Sequence, residues 1–261
     1  MNQPEFVMTG GHDRTGNNAC IVSCGIGEAY QEPLHSTRLH CEVNVPEAWR
    51  LTYRELPLGC KSHLGDMYAF KIHAMQRAID AGFRYVLWMD TAFQPIASIQ
   101  PLWDILAETG WYCPPQAQAR LGEYSHDVLL KFFQISRAEA WNIQLVYSGL
   151  VGFDMGSELG RRLWTSWKDS WQAGVWMGPH YHQSGMVPWQ KVGQKWAGHV
   201  SDDPGVSGHR HDEAALSAIL YRAGLKPKDR GFLTLESPDG FIGHKVPLCV
   251  PGKCGKLCTA Y

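Results

Sequence analysis

Three short stretches of the chain hold side chains whose types and spacing can do chemistry. Asp90 follows the wholly apolar run Tyr85-Val86-Leu87-Trp88-Met89. A carboxylate at the end of a buried strand can hold a divalent cation or a ribose hydroxyl. The second stretch, His209-Arg210-His211-Asp212-Glu213, sets two histidines, an arginine and two carboxylates directly before the run Ala-Ala-Leu-Ser-Ala-Ile-Leu. Acid in a first helical turn is favoured by the helix dipole, so Asp212 and Glu213 have a structural explanation beside a catalytic one. The third stretch is Gly240-Phe241-Ile242-Gly243-His244-Lys245. Its glycines let backbone approach a ligand, His244 can ligate a metal, and Lys245 can neutralise phosphate. Residues 221–261 carry seven Lys/Arg against three Asp/Glu, whereas the whole chain has 24 against 25. That local excess suits a diphosphate and equally suits a solvated tail.

Elements must position these residues. Ala19–Cys24 is apolar and runs into Gly25-Ile26-Gly27, the pattern of a buried first strand and its turn. Residues 39–45 read as a second strand. Apolar spacing from Met67 to Ile79 predicts a helix with Asp66 as N-cap and Gly82 as its stop. Tyr85–Met89 has the pattern of a central strand covered on both faces. Helices are predicted over 102–108, 128–133, 138–143 and 157–171, the last with Trp164, Trp167 and Trp171 on one stripe, and a strand over 146–155. A further helix runs from His211 to Ala223 and closes at Gly224. Residues 174–208 read as a long irregular segment. Its Trp176, Tyr181, Trp189 and Trp196 either stack on a sugar or base or cover the core. Alternating strands and helices predict an α/β fold with a mostly parallel sheet and a loop-rich C-terminal extension.

Composition bounds the class. The chain has 261 residues, 44% hydrophobic and 11% aromatic, enough for a full core. A net charge of −1 argues against a basic nucleic-acid footprint over the whole chain. No apolar run approaches the ~20 residues of a membrane span. Residues 1–13 lack the basic start and apolar stretch of a secretory signal, so a cytoplasmic location and reduced cysteines are expected. Cys249, Cys254 and Cys258 do not follow the Cys-x2-Cys spacing of common structural zinc sites. No Gly-x-Gly-x-x-Gly follows a strand and no Walker loop occurs, which disfavours dinucleotide oxidoreductases and P-loop enzymes.

In chain order, the strand with its glycine turn, the apolar strand ending in Asp90, Tyr147-Ser148-Gly149-Leu150-Val151-Gly152-Phe153-Asp154, His211-Asp212-Glu213 before a helix, and the late Gly-x-x-Gly-His-Lys together resemble a GT-A fold nucleotide-sugar glycosyltransferase. The resemblance spans roughly residues 19–246. It implies a single domain over 1–261: a nucleotide-sugar-binding half (about 19–155), an acceptor and catalytic half (about 156–246), and a cysteine-containing tail (247–261). In such families an Asp-x-Asp motif binds the metal and the sugar nucleotide. Asp90 matches its first aspartate, and Ala92 stands in place of the second. Ser148-Gly149 matches the segment that shapes the acceptor side. His211-Asp212-Glu213 is similar to the His-Asp-Glu of the blood-group transferases, whose glutamate lies beneath the anomeric carbon. His244 and Lys245 match in type, at closer spacing, the late metal-ligating histidine and diphosphate-holding lysine of glycogenin-like enzymes. Residues 68–90 and 132–140 are also similar to glycosyltransferase-like proteins of bacteriophages, where some enzymes glycosylate hydroxymethylated DNA bases.

What the resemblance implies is transfer of a hexose, with retention, from a UDP-sugar to the hydroxyl of a modified DNA base, a glycan or a small molecule. Ser23, Cys24 and Gly25 would border the nucleotide. Asp90 and His244 would hold Mn²⁺ or Mg²⁺, and Lys71 and Lys245 would add positive charge at the departing diphosphate. Asp212 and Glu213 would be catalytic, with Ser148, Gly149, His211 and Trp189 on the acceptor and sugar side. Two other readings fit the residues. One is a metal-dependent hydrolase using His180-x-His182 and His209-x-His211. The other is a non-catalytic GT-A-like module that binds sugar nucleotides.

Overall fold

The computed structural model describes residues 6–10, 18–61, 65–186, 190–192, 195–227 and 242–244. In chain order its elements are β1 (Phe6–Gly10), β2 (Ala19–Cys24), α1 (Glu28–Asn44), β3 (Trp49–Tyr53), α2 (Ala69–Asp80), β4 (Tyr85–Met89) and β5 (Phe93–Pro95). There follow α3 (Gln100–Thr109), β6 (Trp111–Tyr112), β7 (Pro115–Arg120), α4 (Asp127–Phe132), α5 (Arg137–Ala140), β8 (Gln144–Val146) and β9 (Leu150–Asp154). The remainder are α6 (Glu158–Gln172), β10 (Tyr181–His182), β11 (Gln190–Val192), β12 (Lys195–Gly198), α7 (His211–Arg222) and β13 (Ile242–His244).

The main sheet has the order β1-β3-β2-β4-β9-β6. Strands β2, β3 and β4 are parallel, β9 runs back against β4, and β6 runs back against β9. Four of its six strands therefore point the same way, as the alternating pattern predicts. Strand β4 is buried along its whole length because helices cover both faces. Val86 and Trp88 join Cys20 and Val22 against Ile72, Met75 and Ala78 of α2. Leu87 and Met89, pointing the other way, join Ile21 against Cys41 of α1 and Leu102, Trp103 and Leu106 of α3.

Several boundaries differ from the sequence expectation. Residues 39–45 lie in or just past α1, not in a strand. Leu34, Thr37 and Cys41 are buried while Leu39 and Val43 are exposed, so the buried positions recur at helical spacing. The parallel neighbour of β2 is instead β3. The expected strand over 146–155 is broken at Tyr147-Ser148-Gly149, which separates β8, paired with β7, from β9 in the main sheet. Helix α2 begins at Ala69, with Tyr68 as N-cap in the left-handed region at φ 58°. Asp66 accepts a 2.6 Å hydrogen bond from the Trp171 indole in place of capping. The segment 138–143 contributes a single turn, α5, capped by Ser136 and Glu139. Within 174–208, β10, β12 and β11 form a small sheet. Trp176, read as either stacking on a ligand or covering the core, covers the core: it is 1% exposed and donates to Ser170 Oγ. Among the described residues no helix is long and apolar enough to cross a membrane.

Candidate functional site

Strand direction explains which residues meet. Because β9 runs antiparallel to β4, the start of β9 lies beside the carboxyl end of β4. The Asp90 amide donates to the Gly149 carbonyl at 2.8 Å. Helix α2 brings Lys71 to the same edge from its first turn, and α7 brings Asp212 and Glu213 from its first turn. Trp167 of α6 steadies α7 by donating from its indole to the Asp212 carbonyl at 3.0 Å.

At the centre is the Lys71 ammonium, on a side chain that is almost fully buried. It lies 2.8 Å from Asp212 Oδ2 and 3.8 Å from Asp90 Oδ1. It also donates to the Ser148 carbonyl at 3.1 Å and to Ser148 Oγ at 3.0 Å, and that hydroxyl donates to Asp212 Oδ2 at 2.6 Å. The rings of Tyr68 and Trp88 flank the ammonium at 5.4 and 5.6 Å, within cation–π range. Burial alone would pull the Lys71 pKa down, but Asp212 and then Asp90 outweigh it, and the net shift is upward. Lys71 is therefore a charged, internally satisfied cation.

The carboxylates outnumber that cation. Asp212 is nearly fully buried and its Oδ2 is held by Lys71 and Ser148. Asp90 is more open: its side chain keeps 35% of its exposure, and Oδ1 accepts from the Trp88 indole at 2.6 Å. Glu213 carries the mismatch. Burial, then Asp212, with a further push from Asp90, raises it to about 8 against the pull of Lys71 and Arg210. Near neutral pH it holds a proton that it can donate or release. Tyr147 beside Ser148 is pushed up to about 12 by burial and by Asp90 and Glu213.

Gly149 is glycine for steric reasons. A Cβ there would stand 2.5 Å from Tyr147 Cε1, 2.8 Å from Asp90 Oδ2 and 2.8 Å from Phe93 Cε2. Any side chain would force Tyr147, Asp90 or Phe93 to move.

The expected site residues thus fall into groups. Lys71, Asp90, Ser148, Gly149, Asp212 and Glu213 converge at the carboxyl edge of β4. Ser23 and Cys24 lie one strand over with their polar groups turned inward: Ser23 Oγ donates to the Met89 carbonyl at 2.8 Å, and burial pushes the Cys24 thiol up to about 12. At Gly25 only backbone is available to border a nucleotide, and its amide donates to the Tyr53 carbonyl. His211 departs from the expectation that it faces a sugar. It is fully buried, with Nδ1 2.7 Å from the Trp176 carbonyl. Strand β13 pairs with β5 so that His244 is opposite Phe93, three residues past Asp90. Lys245 and Trp189 lie outside the described residues, as do Cys249, Cys254 and Cys258.

The histidine pairs do not assemble a metal site. Buried His209 accepts from the His126 amide at Nδ1 and faces the Val175 carbonyl at Nε2, so both ring nitrogens are engaged. Among the described residues no group of three His, Cys, Asp or Glu side chains is arranged to hold a metal ion.

Tyr68, Trp88 and Tyr147 belong to the cluster and were not anticipated. Trp88 and Tyr147 adjoin expected residues in sequence. A left-handed tyrosine at 68 has no sequence signature.

No family model and no curated protein matches the chain. Its structure is similar to those of solved glycosyltransferases. Mouse xyloside xylosyltransferase 1 is 9% identical, with 87% of this chain and 97% of that one covered and a TM-score of 0.46. The galactosyltransferase LgtC, solved with donor and acceptor sugar analogs, is 13% identical, with 93% and 91% covered and a TM-score of 0.43. A glycosyltransferase involved in glycosylation of the major capsid of PBCV-1 is 12% identical, with 56% and 65% covered and a TM-score of 0.35. These likenesses are loose and assign no activity.

Proposed function

We propose that the chain is a GT-A-type glycosyltransferase that moves a hexose from a nucleotide sugar, a UDP-sugar by preference, to an acceptor hydroxyl. The observation that carries this reading is the convergence of Lys71, Asp90, Ser148, Asp212 and Glu213 at the carboxyl end of β4. That edge is where open α/β sheets bind their ligands. Asp90, the most open of the charged groups, faces the donor. Lys71 and Asp212 form a fixed pair whose field favours charge separation at the anomeric carbon as the diphosphate departs. Glu213 lies beside that pair and exchanges a proton with the acceptor hydroxyl or stabilises the oxocarbenium-like state. By the similarity of His211-Asp212-Glu213 to a retaining motif, the reaction proceeds with retention. The acceptor is the hydroxyl of a modified DNA base, a glycan or a small molecule.

A divalent cation fits the described residues only in part. Asp90 offers a half-open carboxylate, but Ala92 supplies no oxygen and the Trp88 indole already holds Asp90 Oδ1. His244, paired with Phe93 in the β13–β5 ladder, is taken as the second residue of such a site. When bound, Mn²⁺ or Mg²⁺ would neutralise the donor's phosphates.

Thermal stability against a panel of nucleotide sugars, with and without Mn²⁺, tests the reading. A donor at ~100 times its dissociation constant adds ~2.7 kcal/mol, which raises Tm by several degrees. The expected result is a shift with one UDP-sugar that is lost in Asp90→Asn. No shift with any donor, together with no transfer to any acceptor, overturns it.

A further inference from the structure

Two non-glycine residues at the site have left-handed backbone, Tyr68 at φ 58° and His211 at φ 36°. Tyr68 caps the helix that carries Lys71, and His211 opens the helix that carries Asp212. Their rings pack together at 5.4 Å and 32°. Strained backbone of this kind persists only where surrounding contacts over-determine it. For Tyr68 part of that support is the Lys71 ammonium over its ring. For His211 it comes from elsewhere.

The His211 ring is held at both nitrogens. Nδ1 is 2.7 Å from the Trp176 carbonyl, which can only accept, so Nδ1 carries the proton. In the neutral ring Nε2 is then the acceptor, and it lies 3.1 Å from His180 Nδ1, which donates to it. The His180 ring is stacked on His211 at 5.3 Å and 25°. The segment bearing His180 is clamped by backbone as well. The His209 amide donates to the His180 carbonyl at 3.3 Å, and the His182 amide donates to the Ser207 carbonyl at 2.9 Å. At Gly208 the two backbones are so close that a Cβ would stand 2.2 Å from the His180 carbonyl oxygen.

We propose that His180 is a positioning residue: its Nδ1–H fixes His211, and through the His211–Tyr68 stack it fixes where Lys71 and Asp212 meet. This rests on the transferase reading of the site, and it places part of the site's geometry under the control of residues 178–182.

Two substitutions separate the hydrogen bond from the ring. His180→Phe keeps an aromatic face and removes the donor, whereas His180→Asn keeps an N–H near the position of Nδ1 and removes the ring. In the full chain, His180→Phe is expected to lower kcat about tenfold with the donor KM little changed, and His180→Asn to recover to within about threefold of the parent. The ¹⁵N resonances of the His211 ring give a readout independent of turnover. The parent should show the Nδ1–H tautomer, with an Nε2 shift that moves in His180→Phe and returns towards the parent value in His180→Asn. Equal kcat values for the two variants, or an Nε2 resonance indifferent to both, overturn the proposal. If the parent transfers no sugar to any acceptor, the transferase reading fails, and the His211 resonances still decide whether His180 holds that ring.

Discussion

The ladder between β4 and β9 carries an ion pair at each end, and the two ends are built on opposite terms. At one end Asp154 is opposite Tyr85, and the adjacent Arg84 grips it with two hydrogen bonds of 2.8 and 2.9 Å. Asp154 also accepts from the Gly156 amide at 2.7 Å. Its side chain is 1% exposed while that of Arg84 is 51% exposed, so the cation stays hydrated and only the anion is buried, fully satisfied. At the other end the cation, Lys71, is buried as well as its nearest anion, and three acids share it. The first end balances charge and holds strands together. The second leaves an excess of acid that Glu213 relieves only by holding a proton, which is the condition of a reactive site and a poor way to gain stability.

Substitutions can break that contrast. The largest effect is expected from Lys71→Met, which leaves Asp212 buried without its cation. It should cost about 3–5 kcal/mol by denaturant unfolding and abolish transfer. Next, Asp90→Asn should lower kcat by ~100-fold or more while Tm stays level or rises, since it removes one of the crowded negative charges. At the opposite end, Asp154→Asn should cost ~1–2 kcal/mol, reduced by the exposure of Arg84, and leave kcat and KM alone. A loss of activity in Asp154→Asn as large as in Asp90→Asn would erase the distinction between the two ends.

A pH series sharpens the comparison further. Glu213 has its folded pKa raised from 4.5 to about 8. Between those values the folded chain keeps a proton that the unfolded chain has released. The stability associated with Glu213 is thus complete below 4.5 and declines as pH rises towards 8. Glu213→Gln, which imitates the protonated side chain, should escape that decline. The Tm of Glu213→Gln relative to the parent should climb by on the order of ten degrees from pH 5 to pH 8 and then level off. A constant difference across that range would mean that Glu213 is ionised throughout.

The sequence displayed the site unevenly. Asp90 was legible because a fully apolar strand stops at it. Asp212 and Glu213 were legible as acids opening a helix. Lys71 was noticed without its partners, and nothing local says that a lysine on an amphipathic helix will be buried against two aspartates. His211 was misjudged for the same reason. A histidine beside catalytic-looking carboxylates suggests ligand contact, yet it is packed inside. The misread strand at 39–45 shows the complementary failure. Seven residues of mixed apolar character fit either period, and the buried positions that decide for a helix begin five residues earlier, at Leu34.

What the sequence by itself determined were features set by local physics. These include the alternation of strands and helices, the double burial of Tyr85–Met89, and the stops at Gly82 and Gly224, whose φ values are 89° and 69°. The tertiary structure decided strand direction. Tyr147-Ser148-Gly149 could have continued one long strand, but β9 returns antiparallel to β4, and that reversal carries Ser148 to Asp90, Lys71 and Asp212 across as many as 77 residues. Pairing direction and the charge balance of a buried cluster depend on contacts between distant segments, which no short window of residues contains.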